Sequence, residues 1–131
     1  MSRPDWDLYF IRIAKEVASR STCPRAAVGA VIVKDNHIIS TGYNGAVAGK
    51  LHCEDEGCTV MDGHCQRAVH AEINAIIQAT HNGLSLDGAT IYYWDSKGRY
   101  AQTLNDFAKL FPIQAKIVNS WGISRICGRG L

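Results

Sequence analysis

No apolar run in this sequence approaches the ~20 residues of a membrane span. The first residues, MSRPDWD, lack the charged, apolar and small-residue regions of a signal peptide. These two absences point to a cytoplasmic protein. A strong charge of one sign is missing as well. The net charge of +2 is too small by itself to indicate a nucleic-acid or membrane partner. Internal repeats, low-complexity tracts and interdomain linkers are all absent, so residues 1–131 read as a single domain. That length buries a core without covalent staples. Apolar content of 47% and charged content of 20% are ordinary for a globular chain.

Cysteine and histidine are present, and they are clustered. Residues 52–72, HCEDEGCTVMDGHCQRAVHAE, hold three of the five cysteines and three of the five histidines. In a reducing compartment clustered cysteines read as metal ligands or reactive thiols before disulfides. The odd count agrees, because four could serve a metal and leave Cys127 as a small core hydrophobe. Cys53 and Cys58 are followed by the pair His64-Cys65, and Cys23 could fold back to the same point from the end of the first helix. Tetrahedral zinc takes four such ligands. Thiolates and imidazole would then fix a loop that has few apolar residues of its own. The alternative is a set of unligated buried cysteines.

The rest of the chain reads as a mixed α/β pattern. Trp6, Tyr9, Phe10, Ile13, Ala14, Val17 and Ala18 share one face of a helix over 4–20. Pro4 suits its first turn, and Asp5 and Asp7 suit its positive end. The β-rich runs 28–33 and 37–41, joined by Lys34-Asp35-Asn36, predict an antiparallel hairpin. His37 falls at its edge and reads as solvated. Val69, Ile73, Ile76, Ile77 and Thr80 mark a second helix, which Asn82-Gly83 terminates. A third strand follows over 89–94, then a polar stretch, then a short helix opened by Thr103 and Asp106 and stopped near Pro112. A helix over 113–120 and a strand over 123–127 complete the pattern. This order implies an α/β layer sandwich, with its first two strands antiparallel and later ones added by crossovers.

His70-Ala71-Glu72 opens the second helix. In zinc nucleobase deaminases H-x-E is paired with a later P-C-x-x-C. The histidine and two thiolates hold zinc, and the glutamate carries a proton. H-x-E alone also occurs on solvated helix faces. Taken with its flanks, however, the motif is far more specific. The segments RPDWDLYF, SRSTCPRAAVGAVIVKD, GYNGAVAG, HCEDEGCTVMDGHCQRAVHAEINAIIQA and LDGATIYY resemble the deoxycytidylate (dCMP) deaminase family, most closely its bacterial late-competence, ComE-operon type. The resemblance runs from residue 3 to about residue 94. It implies a cytidine-deaminase-like α/β/α sandwich, with an N-terminal hairpin and then a mixed sheet, shortened at the C-terminus. It also implies zinc, a pyrimidine deoxynucleotide ligand and assembly into dimers or hexamers. By the same resemblance His70 matches the catalytic zinc ligand and Glu72 the proton carrier. Asn44 matches a nucleotide contact, and Ala71 the backbone donor beside the base. Cys23 and Cys53 match ligands of a second, structural zinc, which two of Cys58, His64 and Cys65 would complete.

After Trp94 the family pattern breaks. The segment AKIVNSWGISRI, residues 115–126, resembles the family's last helix and strand, and counting back places the two thiolates at Phe111 and Gln114. Pro112-Ile113-Gln114 stands where the motif belongs, behind an insertion over 95–111. One imidazole without thiolates holds zinc poorly, and without the metal a water stays near its bulk pKa. Asp95, Asp106 and Cys127 are the residues that could substitute, none at the expected spacing. The resulting expectation is a nucleotide-binding homologue with impaired catalysis. The alternative is a working zinc hydrolase with atypical ligands that converts dCMP to dUMP. A nucleic-acid role has only Arg20, Arg25 and Arg99 behind it, which read as solvated charges.

Overall fold

A computed structural model of the chain describes residues 3–22, 26–46, 60–61, 64–65, 68–69, 71–97, 104–110 and 112–130. The first helix, α1 (Trp6–Ala18), starts at Asp5, whose side-chain Oδ1 accepts the Leu8 N–H at 2.8 Å. An aspartate in this position satisfies one of the N–H groups that a helix start leaves open. Pro4 thus lies before the cap rather than inside the first turn. The buried face is Phe10, Ile11, Ala14 and Ala18, while Trp6 and Tyr9, expected to face inward, are exposed. These two rings pack instead against Phe10 and each other along the helix surface, with centroids 5.0–5.8 Å apart.

The hairpin forms as expected from β1 (Val28–Lys34) and β2 (His37–Tyr43). Asp35 and Asn36, which join them, both have positive φ, 52° and 61°. That is the pattern of a tight hairpin turn matching strand twist. His37 is exposed. Between the hairpin and the second helix the chain adds four two-residue strands that the sequence did not suggest: β3 (Gly45–Ala46), β4 (Val60–Met61), β5 (His64–Cys65) and β6 (Ala68–Val69). β3 pairs with β6, and β4 with β5. Next come α2 (Ala71–His81), β7 (Thr90–Asp95), α3 (Leu104–Leu110), α4 (Pro112–Ser120) and β8 (Arg125–Gly130). Gly83, with φ 72°, ends α2, in a conformation that glycine adopts without steric cost.

The main sheet has the order β2-β1-β7-β8. β1 is antiparallel to both neighbours, and β8 joins β7 in parallel after a crossover through α3 and α4. Both faces are covered. Val31, Val33, Tyr92 and Cys127 pack with Phe10, Ile11 and Ala14 of α1 on one side. Ala30, Ile32, Ile91, Tyr93 and Ile126 pack on the other with residues of α2, α3 and α4, among them Ala75, Ile76, Phe107 and Val118. The alternation along β1 and β7 therefore divides two apolar layers, which makes the architecture α/β/α with a mixed sheet. Among the described residues no helix is long and apolar enough to cross a membrane.

Candidate functional site

In open α/β sheets ligands bind in the crevice outside the carboxyl ends of the parallel strands. Here those strands are β7 and β8, which end together at the pair Asp95 and Gly130. At the same end of the sheet Val28 lies opposite Asp95, and Gly29 lies opposite Tyr43. The end of β2 thus meets the end of β7 across the start of β1.

The first turn of α2 is held over this end of the sheet by three contacts with β2. Ser40 Oγ donates to Ala75 O at 2.7 Å inside the core, and Asn74 Nδ2 donates to Tyr43 O at 2.7 Å. Between them Gly42 lies so close to the helix that a Cβ there would fall 2.4 Å from Ala75 N and 2.5 Å from Ala71 O. The stripe of α2 pressed against the sheet is Ala71, Glu72, Ala75, Ile76 and Ala79. Ile77, expected on this stripe, is half-exposed. Small alanines, rather than the largest aliphatics, face the strand because only they permit so close an approach. Glu72 consequently sits at the sheet-facing start of the helix with 3% of its surface exposed. A carboxylate there is favoured by the positive end of the helix.

Asn44, at the end of β2, clamps this corner. Its Oδ1 accepts from Val28 N at 2.9 Å and Ser21 Oγ at 2.6 Å, and its Nδ2 donates to Ala26 O at 2.8 Å. Its main chain also bonds to Val28 O, at 3.1 Å. Val69 pairs with Gly45, which brings the chain entering α2 alongside Asn44. Ala71 is fully buried. The structure thus brings Asn44, Ala71 and Glu72 to one end of the sheet. His70, Cys23, Cys53 and Cys58 lie outside the described residues, and of His64 and Cys65 only the backbone pairing of β5 is described.

One residue acquires a significance that the sequence did not give it, and a second, named above among the possible substitute ligands, acquires a defined place. Ser40 is buried and ties β2 to α2. Asp95, assigned from the sequence to an irregular polar stretch, is the last residue of β7 and only 4% exposed. It shares strand parity with Ile91 and Tyr93 and so faces the layer that contains α2. Its Oδ1 accepts the Lys97 N–H at 2.7 Å. Ser96 extends the strand edge, donating its N–H to Ala27 O at 2.9 Å and accepting Ala27 N–H on Oγ at 2.8 Å. The available signal was strand parity alone, since residues 91, 93 and 95 share one face of a β-strand. Cys127 is buried against α1 on the opposite side of the sheet, where burial pushes its thiol pKa up. It is a core residue and cannot contribute to a site beside Glu72.

A buried carboxylate at the start of a helix, over the carboxyl ends of a mixed sheet in an α/β/α sandwich, agrees with the cytidine-deaminase-like class. The model of the cytidine and deoxycytidylate deaminase zinc-binding region matches residues 4–105. The chain belongs to that family. It is 52% identical over 92 residues, 70% of its length, to ComE operon protein 2 of Bacillus subtilis, and spans about half of that protein (49%). It is 45% identical over 103 residues to the deoxycytidylate deaminase of Mycobacterium phage D29, covering 70% of this chain and 79% of the phage protein. Among solved structures, dCMP deaminase from cyanophage S-TIM5, in complex with dCMP and dUMP, superposes with a TM-score of 0.73 at 23% identity, over 99% of this chain and 85% of the phage chain. That likeness shows the cytidine-deaminase-like fold.

The family description implies zinc. Zinc accepts Asp or Glu oxygen as well as imidazole nitrogen and thiolate sulfur. Among the described residues no group of three or more histidine, cysteine, aspartate or glutamate side chains stands together to hold a metal ion, so the described part of the site does not by itself form a zinc centre.

Proposed function

We propose that this chain binds a pyrimidine deoxynucleotide over the carboxyl end of β7. Asn44 and the Ala71 backbone contact the ligand and Glu72 stands against the base, and hydrolytic deamination is weak relative to the family. The single observation that carries the reading is the burial of Glu72 at the tightly held first turn of α2. There a carboxylate can take a proton from water and return it to a ring nitrogen and a leaving amine. His70 is the imidazole that would hold zinc, which when bound supplies an acidified water. The weakness follows from the missing P-C-x-x-C. Four of Cys23, Cys53, Cys58, His64 and Cys65 would hold a second, structural zinc.

Calorimetry with dCMP, an ammonia-release assay and zinc per chain test the proposal together. Binding of dCMP that falls in Asn44→Ala, with little or no ammonia released, is the expected result. Failure of the purified protein to bind dCMP or dUMP would sink it. A second reading, a working dCMP deaminase, is favoured by the identity to the phage D29 protein, most of whose length is matched. Steady turnover abolished by Glu72→Ala would establish that reading instead. Self-association into dimers or hexamers belongs to the same proposal. It is supported by Ile113, Ile117 and Trp121, which lie exposed at i, i+4 and i+8 along and just after α4, and light scattering measures it directly.

A further inference from the structure

Asn44 is half-buried at the end of β2, and most of its carboxamide is used inside the protein. The Val28 N–H donates to Oδ1 at 2.9 Å, and the Ser21 hydroxyl donates to the same oxygen at 2.6 Å. Nδ2 donates to Ala26 O at 2.8 Å. An amide oxygen carries two lone pairs and an amide nitrogen two hydrogens. Both lone pairs are therefore filled, and among the described residues one Nδ2 hydrogen stays unassigned. The backbone decides which end of the carboxamide is oxygen, since the Val28 N–H can only donate and Ala26 O can only accept. Ser21 closes the lone pair that the backbone leaves open.

The end of α1 places Ser21 for this task. Its N–H donates to Ala18 O at 3.0 Å, and the next residue, Thr22, donates its N–H to Asn44 O at 3.4 Å. Gly45 makes room for that approach, because a Cβ there would fall 2.4 Å from Thr22 Oγ1. Three acceptors lie within reach of the Ser21 hydroxyl: Asn44 Oδ1 at 2.6 Å, Asn44 O at 3.1 Å and Ala26 O at 3.4 Å. The first is at the short end of O–H···O bonds, so the hydrogen goes to the carboxamide. We infer that Ser21 is a positioning residue for ligand binding. By occupying Oδ1 it leaves Asn44 a pure donor, and the ligand atom set against Asn44 is an acceptor oxygen. The inference rests on the proposed reading that Asn44 contacts the nucleotide. Without the hydroxyl, a lone pair on Oδ1 opens to water and the carboxamide is held by two bonds in place of three. The aim of Nδ2 is then fixed only when the ligand binds, which costs affinity.

The test is dCMP calorimetry on the full chain, at a temperature well below every thermal midpoint. The variants are Ser21→Ala, Asn44→Ala, their double variant, and the pair Ser21→Thr and Ser21→Val. That pair shares one shape and differs in the hydroxyl, so it isolates the hydrogen bond even where Ser21→Ala folds poorly. Ser21→Ala is expected to weaken dCMP binding about fivefold, and Ser21→Thr to bind about fivefold tighter than Ser21→Val. In the Asn44→Ala background, loss of the Ser21 hydroxyl is expected to change nothing further, because its action runs through the carboxamide. A role confined to stability would lower the midpoint and leave dCMP affinity unchanged. Equal affinity in Ser21→Thr and Ser21→Val overturns the inference while the nucleotide reading stands. So does a Ser21→Ala effect that persists in full without the Asn44 side chain. A wild type that binds neither dCMP nor dUMP, or an Asn44→Ala variant that binds dCMP as wild type does, removes the reading of the site and the inference with it.

Discussion

Residue 42 has room for a hydrogen and for nothing larger, since a Cβ would sit 2.4 Å from the Ala75 nitrogen. Gly42→Ala is therefore expected to push α2 off the strand, at a cost of about 1–3 kcal/mol read as a lower thermal midpoint. An unchanged midpoint would mean that the close packing is not required. Ser40→Ala should cost about 1 kcal/mol, because the hydroxyl bonded to Ala75 O at 2.7 Å is removed from a buried position. At this scale the sequence was legible where a residue type is chemically unusual. The H-A-E motif singled out Glu72, and the odd fifth cysteine became Cys127 in the core. It was not legible for Ser40, nor for the burial of Asp95 at the end of β7. Their importance comes from which strand face they occupy, and that is fixed only when α2 chooses its stripe.

The elements are joined by polar contacts as well as by the two apolar layers. Asp7 on α1 accepts both guanidinium nitrogens of Arg125, at 2.7 and 3.0 Å, and the Tyr92 hydroxyl at 2.7 Å. Arg125 and Tyr92 together hold the Asp7 carboxyl down at about 2, while burial and Asp7 push the Tyr92 phenol up to about 12. Since the Asp7 pKa is lower folded than unfolded, its contribution is complete above the unfolded value of 3.8 and disappears as pH falls toward 2. The Tyr92 pKa is raised, so its contribution is complete below 10 and disappears as pH rises toward 12. The side chains of Arg125 and Asp7 are 49% and 41% exposed, which limits the ion pair to about 1 kcal/mol or less. Asp7→Asn is expected to flatten the acid limb of a stability–pH curve and to reduce the alkaline limb, which burial of Tyr92 still carries, whereas Tyr92→Phe should remove the alkaline limb and reduce the acid limb, which Arg125 still carries. Denaturant midpoints measured across pH check both. Helices and strands were legible in their order and nearly in their bounds. Helix faces were less so: Trp6, Tyr9 and Ile77 read as core by size, yet Ala71, Ala75 and Ala79 hold the interface because close approach outweighs bulk there.

The whole molecule is a sheet shared by two cores, and β1 and β7 present alternate residues to each. Phe10→Ala in one layer and Phe107→Ala in the other should each cost about 3–5 kcal/mol. Both should lower one common unfolding transition, followed by circular dichroism and intrinsic fluorescence together. Two transitions, one for each probe, would show that the layers unfold separately. The alternating hairpin, the helix periods and the resemblance made this architecture legible. The two small sheets of the metal-rich segment were not, because strands of two residues leave no periodicity. The clasp between Asp7 and Arg125 joins positions 118 residues apart. During synthesis α1 leaves the ribosome early, but its partner guanidinium emerges only after residue 125 has been added. The apolar face of α1 can meet Val31 and Val33 once the hairpin has emerged. Tyr92 and Cys127, which complete that layer, follow much later, so for most of translation the layer stays partly open. For that interval, its safety from aggregation depends on the speed of the ribosome and on whatever chaperone meets the nascent chain.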